Sequence, residues 1–416
     1  MAGSGPRQLV DHYFRHESAR LIAALTRRFG MRHLPLAEDD VQVALSRALA
    51  SWPKRGNPDD PTRWLLTVAI NHVVDQLRRE SRKDALTTEH LADLETRSLD
   101  QETDQLDDSL LRLIFVCCDP CVPAESQLAL ALKTLCGFSV REVARALVST
   151  TDSIEKRISR AKARFRHQGL ELEGLSNEAM RLRLSQVQHV LYLLFNEGYS
   201  STQAERIIRV ELCEEAVRLA LILAEAEGTR GGASSAFLAL LLFHAVRLDA
   251  RLDEGGAILL FEEQDLRKWD LKLLREAYRW FEAATSEPEV TRYHAEALIA
   301  AEHCRGKLNG TTDWSRIVDG YALLCRLAPS PIHQLNQAIA IAHLHGPQRG
   351  LQHLESIDSR RLDEHYYLWH AIRADLLSLN GQKEEAEPAY RRAWDLAPTQ
   401  AEKELVIRKL DALEAE

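Results

Sequence analysis

The stretch GFSVREVARALVSTTDSIEKRISRAKARFR, Gly137 to Arg166, decides how the chain is read. Val140, Val143, Ala144 and Leu147 make one apolar face of a short helix that Ser139 can cap, and after a break at 148–150 a second helix begins with Thr151 and Ser153. This spacing predicts a helix-turn-helix. In that motif the second helix enters the major groove, its N-terminal residues meet base edges or phosphates, and later basic residues reach the backbone. Thr151, Asp152, Ser153, Glu155, Lys156, Arg157 and Arg160 are the residues expected at the surface, with Ile154, Ile158 and Ala161 facing inward. A single basic helix is more often a plain solvated surface, so the weight of the motif depends on what surrounds it.

Working outward, apolar residues recur at helical spacing almost everywhere, and strand-like alternation bounded by turn residues is nearly absent. The fold class is therefore all-α. Helices are predicted over 7–29, 37–51, 61–82, 107–117, 124–136, 140–147 and 151–168. The segment 84–106 is polar and acidic with weak periodicity and reads as an inter-domain linker between two small helical modules, 1–83 and 107–170. A length of 416 residues calls for more than one hydrophobic core.

Charge supports this division. The total of −9 conceals a front part, 1–170, with 25 Lys and Arg against 23 Asp and Glu, and a rear part with 28 against 39. Within the front, 84–108 holds nine acids and one Arg, whereas 141–166 holds eight Lys or Arg and three acids. A basic helical stretch beside an acidic tether points to nucleic acid at the first and repulsion from it at the second. Seven cysteines are too few and too scattered for a disulfide framework. Cys117-Cys118-Asp119-Pro120-Cys121 contains a C-x-x-C but lacks a second ligand pair, so the thiols read as small apolar groups, with no metal or cofactor expected. No signal-peptide-like run opens the chain, and the longest apolar stretch, 236–243, stops at His244. A cytoplasmic protein without a membrane partner is expected.

Behind residue 174 the helices continue with short breaks. Ala374, Gly381, Ala386, Tyr390, Ala393 and Pro398 fall at tetratricopeptide intervals, where small residues let two helices approach and an aromatic fills the gap. Tyr321 and Pro329 repeat the spacing of Tyr390 and Pro398, and Gly346 suits the next turn. Residues 175–416 are accordingly read as a tetratricopeptide-like repeat domain, with 271–285/290–305 and 314–327/331–345 as helical hairpins. Asn196, Glu197 and Tyr199, and the polar loop with Asp249, Arg251, Asp253 and Glu254, are weighed as a pocket. Without a phosphate loop, an activated nucleophile or metal spacing they read as structural polar bonding or peptide recognition, and no enzymatic activity or catalytic residue is expected.

The residues also carry a resemblance. Ser139-x-x-Glu142-Val143-Ala144-x-x-Leu147, followed by Ser153-Ile154-x-x-Arg157-Ile158-x-Arg160-Ala161-Lys162, resembles the fourth conserved region of sigma-70 superfamily factors, which binds the −35 promoter element; Val148 stands where many members have Gly. LAEDDVQVALSRALASWP (36–53) and NPDDPTRWLLTVAINHVVDQLRRESRK (57–83) resemble the second conserved region of extracytoplasmic-function (ECF) sigma factors. The resemblance implies that Asp39, Asp40, Gln42 and Val43 dock on core RNA polymerase. It further implies that Arg63, Asn71, His72, Arg78, Arg79, Arg82 and Lys83 open and read the −10 element of promoter DNA. A cationic surface for phosphates and pockets for a flipped base are what strand opening needs. Trp64 reads as core rather than as a stacking platform. Segments 190–201, 262–270, 327–342 and 381–398 look like the C-terminal extension of one ECF group, which implies a repeat domain that regulates the factor through a protein or ligand. The competing reading is a core-independent helix-turn-helix regulator whose repeats sense a ligand or a protein.

Overall fold

In the computed structural model, residues 17–81, 106–135, 137–147, 149–168, 172, 174–199, 208–358 and 366–415 are described. The start of the first predicted helix, Arg82, Lys83, the linker up to residue 105 and Val148 lie outside them. The described residues form helices and turns, and their only β feature is an isolated bridge between Leu252 and Ile258. The all-α expectation holds. Contacts group the chain into two compact units, Met1–Thr202 with Glu211–Thr229, and Gln203–Val210 with Arg230–Glu416.

The first unit opens with α1 (Ser18–Phe29), a 3-10 turn (Met31–His33), α2 (Leu34–Arg55) and α3 (Pro61–Ser81). Helix α1 ends at Gly30, whose φ of 90° suits glycine and turns the chain toward α2. Val41, Ala44, Leu45 and Ala48 of α2 and Leu65, Leu66, Ala69 and Val73 of α3 are all sealed from solvent, giving the two helices a common aliphatic seam. The second module follows as α4 (Leu106–Cys117), α5 (Ala124–Thr134), α6 (Val140–Ala146) and α7 (Thr151–Gln168).

The two modules pack on each other, α4 against α1 and α7 against the 3-10 turn. Polar bonds fix this contact: Glu38 accepts from Thr134 Oγ1 at 2.6 Å and pairs with Lys162 of α7, while Arg27 donates to Ser109 at 3.3 Å. Helix α8 (Asn177–Tyr199) docks on the same unit. Its Arg183 pairs with Asp119 at 2.6 Å and donates to the Phe115 carbonyl at 3.1 Å. Helix α9 (Val210–Glu225) follows it there, with Cys213 against the Phe195 carbonyl. The expected rear boundary at 175 thus differs from the contact boundary, because these helices bury their faces on the front unit.

The second unit is a succession of helices, each packed on the next: α10 (Gly232–Ala245), α11 (Leu271–Ala284), α12 (Arg292–Asn309), α13 (Trp314–Leu327), α14 (Pro331–His345), α15 (Pro347–Glu355), α16 (Tyr367–Leu379), α17 (Lys383–Leu396) and α18 (Gln400–Ala415). Helix α10 is apolar on all sides and every residue from Ser234 to Phe243 is buried. It lies in the one described stretch long and apolar enough to cross a membrane, Gly232–Ala250, but 72% of that window is inside the protein, as in a core helix. Helices occupy the segments of both predicted hairpins, but in the first of them α11 packs chiefly on α10 and only lightly on α12. Ala374, Ala386, Tyr390 and Ala393 are buried together, and Tyr390 donates to Asp375 at 2.6 Å. At Gly350 of α15 a Cβ would stand 2.9 Å from the Ala338 carbonyl and 2.6 Å from the Ala342 side chain, so only glycine lets α14 and α15 approach this closely.

Candidate nucleic-acid interface

The α6–α7 pair is built by local chemistry. Ser139 Oγ accepts from the Glu142 backbone at 3.2 Å and the Glu142 carboxylate accepts from the Ser139 backbone at 2.6 Å, a reciprocal cap that starts the seven-residue α6. Phe138, Val143 and Ala144 are buried, as are Ile154, Ile158, Ala161 and Phe165 of α7. That spacing leaves one face of α7 outward. Thr151, Asp152, Glu155, Lys156 and Arg160 are exposed, and Ser153 and Arg157 are half-buried. Arg157 pairs with Glu125 of α5 at 2.7 Å, a partner 73% exposed. The basic residues nearer the C-terminus do two jobs: Arg166 is exposed, whereas Lys162 is held by Glu38 and Arg164 donates to the Cys121 carbonyl at 2.8 Å.

On α3, Arg63, Asn71, Arg78 and Arg79 are exposed and form a stripe along the side opposite the aliphatic seam. From Arg63 to Arg79 this stripe spans roughly 24 Å at helical rise. Asp60 caps the helix, accepting from the Arg63 backbone at 2.9 Å. Trp64 is half-buried and meets Trp52 edge to face, with centroids 5.5 Å apart, which agrees with its reading as a packing residue.

The four residues expected on one polymerase-facing surface are not presented alike. Asp39 and Gln42 are exposed and Val43 is half-buried, but Asp40 is fully buried. Asp40 Oδ1 accepts from Gln76 Nε2 at 2.8 Å and is bonded to His72 Nδ1, so this carboxylate bridges α2 to α3 and offers nothing outward. Burial pushes its carboxyl above the usual range, against the pull of His72. His72, expected at the DNA, is half-buried by the same bond. In place of Asp40, Ser46 and Leu49 continue the exposed stripe of α2, with Leu49 46% exposed. Their signal was available: Leu49 falls outside the buried series Val41, Ala44/Leu45, Ala48, Trp52.

Cys117 and Cys118 are buried, and burial raises the Cys118 thiol to about 12 and the Cys121 thiol to about 11, so neither is an activated nucleophile. Glu197 is buried, Tyr199 stacks on Phe195 at 5.7 Å, and Asp253 closes its own loop by accepting from Ala257 at 2.8 Å. In the second unit a cleft of about 530 Å³ is lined by Ile339, His343, Ile372, Asp375, Leu379 and Tyr390, among others.

Comparison with known proteins places these features. Residues 14–83, which contain α1 to α3, match sigma-70 region 2, and residues 183–285 match a family of unknown function, DUF6596, which crosses the boundary between the two units. The N-terminal match supports a sigma-70 family member. It is 39% identical over 404 residues to the uncharacterized protein R00370 of Rhizobium meliloti (strain 1021), covering 95% of this chain and 93% of that protein. No solved structure matches it.

Proposed function

We propose that the protein is an ECF-type sigma factor that directs core RNA polymerase to specific promoters and carries its own regulatory domain. In this reading residues 1–83 bind core polymerase through Asp39, Gln42, Val43 and the neighbouring Ser46 and Leu49. The α3 stripe of Arg63, Asn71, Arg78 and Arg79, continued in the sequence by Arg82 and Lys83, engages the −10 element. Residues 107–170 bind the −35 element through Thr151, Asp152, Ser153, Glu155, Lys156, Arg157 and Arg160. The acidic linker 84–106 tethers the two without being captured by DNA. The tetratricopeptide-like region behind residue 175 restrains or releases them, with the cleft between α14, α16 and α17 as the place for a regulatory ligand or protein segment.

The observation that carries this reading is one chain holding both a sigma-70 region 2 match and a capped helix-turn-helix whose second helix presents Lys156 and Arg160 outward. A basic helix alone would suit many surfaces, and its pairing with a polymerase-binding module does not. Run-off transcription with purified core polymerase on selected promoter fragments tests it. Core-dependent initiation at a defined start is expected. Specific duplex binding by the free chain, with no polymerase binding and no initiation, would instead establish a core-independent regulator.

A further inference from the structure

The buried seam between α2 and α3, aliphatic along most of its length and closed by the Trp52–Trp64 pair, is apolar except at one place. Asp40 is fully buried on α2, and its Oδ1 gathers Gln76 Nε2 at 2.8 Å and His72 Nδ1; the two partners stand one turn apart on α3, with Gln76 Nε2 3.0 Å from His72 Nδ1. Its second oxygen, Oδ2, is buried and has no hydrogen-bond partner among the described residues. An acceptor left bare in a core costs stability, and an apolar residue here would continue the seam made by Val41, Ala44 and Leu45 at no such cost. What the carboxylate supplies instead is register. Aliphatic helix faces tolerate small rotations and slides, whereas one acceptor shared by two side chains a turn apart accepts a single arrangement.

The two helices it joins carry different surfaces. One presents Asp39, Gln42 and Leu49, and the other presents Asn71, Arg78 and Arg79. We propose that Asp40 is a positioning residue which fixes the azimuth of α3 against α2, so that when α2 is seated on polymerase the α3 stripe meets the −10 element at the angle strand opening requires. The proposal rests on the reading of residues 1–83 given above. It assigns Asp40 no contact with either polymerase or DNA.

The test uses the full chain, core polymerase, and the promoter fragment on which the unaltered chain initiates, both as duplex and with its −10 segment already unpaired. Asp40→Ala removes the bridge while leaving His72 and Gln76, both half-exposed, free to hydrate. It is expected to bind core within about twofold of the unaltered chain. It should open the duplex roughly ten- to hundredfold more slowly, as misplaced groups do, and recover on the unpaired template. Asp40→Asn, which keeps an acceptor for Gln76, should restore most of the opening rate. Gln76→Met removes one strut, fills its space, and should give a smaller loss of the same kind, so the proposal stays testable if Asp40→Ala does not fold. Unchanged duplex opening by both variants overturns it, as does a loss of core binding that accounts for the defect, or no recovery on the unpaired template. Absence of initiation by the unaltered chain on either template overturns the underlying reading instead, a result separable from a defect confined to the variants.

Discussion

Arg160 stands exposed on α7 while Arg157, three residues before it, is half-buried against Glu125, and the two cations differ in what their removal should do. Taking away one cation that neutralises a phosphate should lower promoter-directed initiation at low salt and flatten the salt dependence of binding by about one unit of slope. Arg160→Glu should do this with the melting temperature unchanged. Arg157→Glu also abolishes an ion pair whose acid is largely solvated, so its added cost in stability stays within about 1 kcal/mol. Filter binding across a salt series, with thermal melting beside it, separates the two; an unaltered slope in both variants removes α7 from the DNA. A second residue-scale prediction concerns His303. Its ring meets those of Phe261 and Trp314, each with centroids 5.7 Å away, and desolvation with the nearby Arg247 charge lowers its pKa to about 4. Between that value and the ordinary 6.5 the unfolded chain binds a proton that the folded chain refuses. Stability is therefore complete above pH 6.5 and lost as pH falls toward 4, by about 1.4 kcal/mol per pH unit. His303→Phe should flatten the pH dependence of unfolding over that window by this amount. Of these residue environments, the outward face of α7 was legible from helical spacing alone. The burial of Asp40 was not: Glu38, Asp39 and Asp40 are three consecutive acids, and which one turns inward depends on His72 and Gln76, more than thirty residues away.

At the scale of elements, short helices depend on their ends. Helix α6 has seven residues and too few internal bonds to persist alone, so its reciprocal Ser139–Glu142 cap carries a large share of its stability. Ser139→Ala should cost about 1 kcal/mol. It should weaken −35-dependent initiation more than it weakens core binding, because α6 buttresses α7; an equal loss in both measurements would assign Ser139 to the fold alone. In the rear unit Gly350→Ala should cost about 1–3 kcal/mol in urea unfolding, since the added methyl meets a backbone carbonyl that cannot rotate aside. These elements were readable because their signals are local: a capping residue three positions before its partner, and small residues at fixed intervals. The docking of α8 and α9 was not local. Their periodicity is that of the helices behind them, and contacts distant in sequence, such as the Arg183–Asp119 pair 64 residues apart, reveal which unit α8 joins.

For the molecule as a whole, the proposed reading of two promoter elements needs modules able to take up a separation set by the polymerase, yet the helices of 17–81 and 106–168 share one compact unit. Glu38 is central to that contact, bonded at once to Thr134 and to Lys162 of α7. It lies one residue before Asp39, on the helix proposed to face polymerase. Both members of the Glu38–Lys162 pair are 19% exposed, which makes the pair stronger than a solvated one and its disruption costlier, on the order of 1–2 kcal/mol. Glu38→Lys or Lys162→Glu alone places like charges together and should part the modules, while the double reversal restores attraction. Energy transfer between probes on the exposed faces of α2 and α7 reads the separation directly. Each single variant should lengthen the distance and the double variant should shorten it again, with a coupling larger than either error. If the two single changes simply add in the double variant, Glu38 and Lys162 do not hold the modules together, and the contact owes its stability to the packing of α4 on α1.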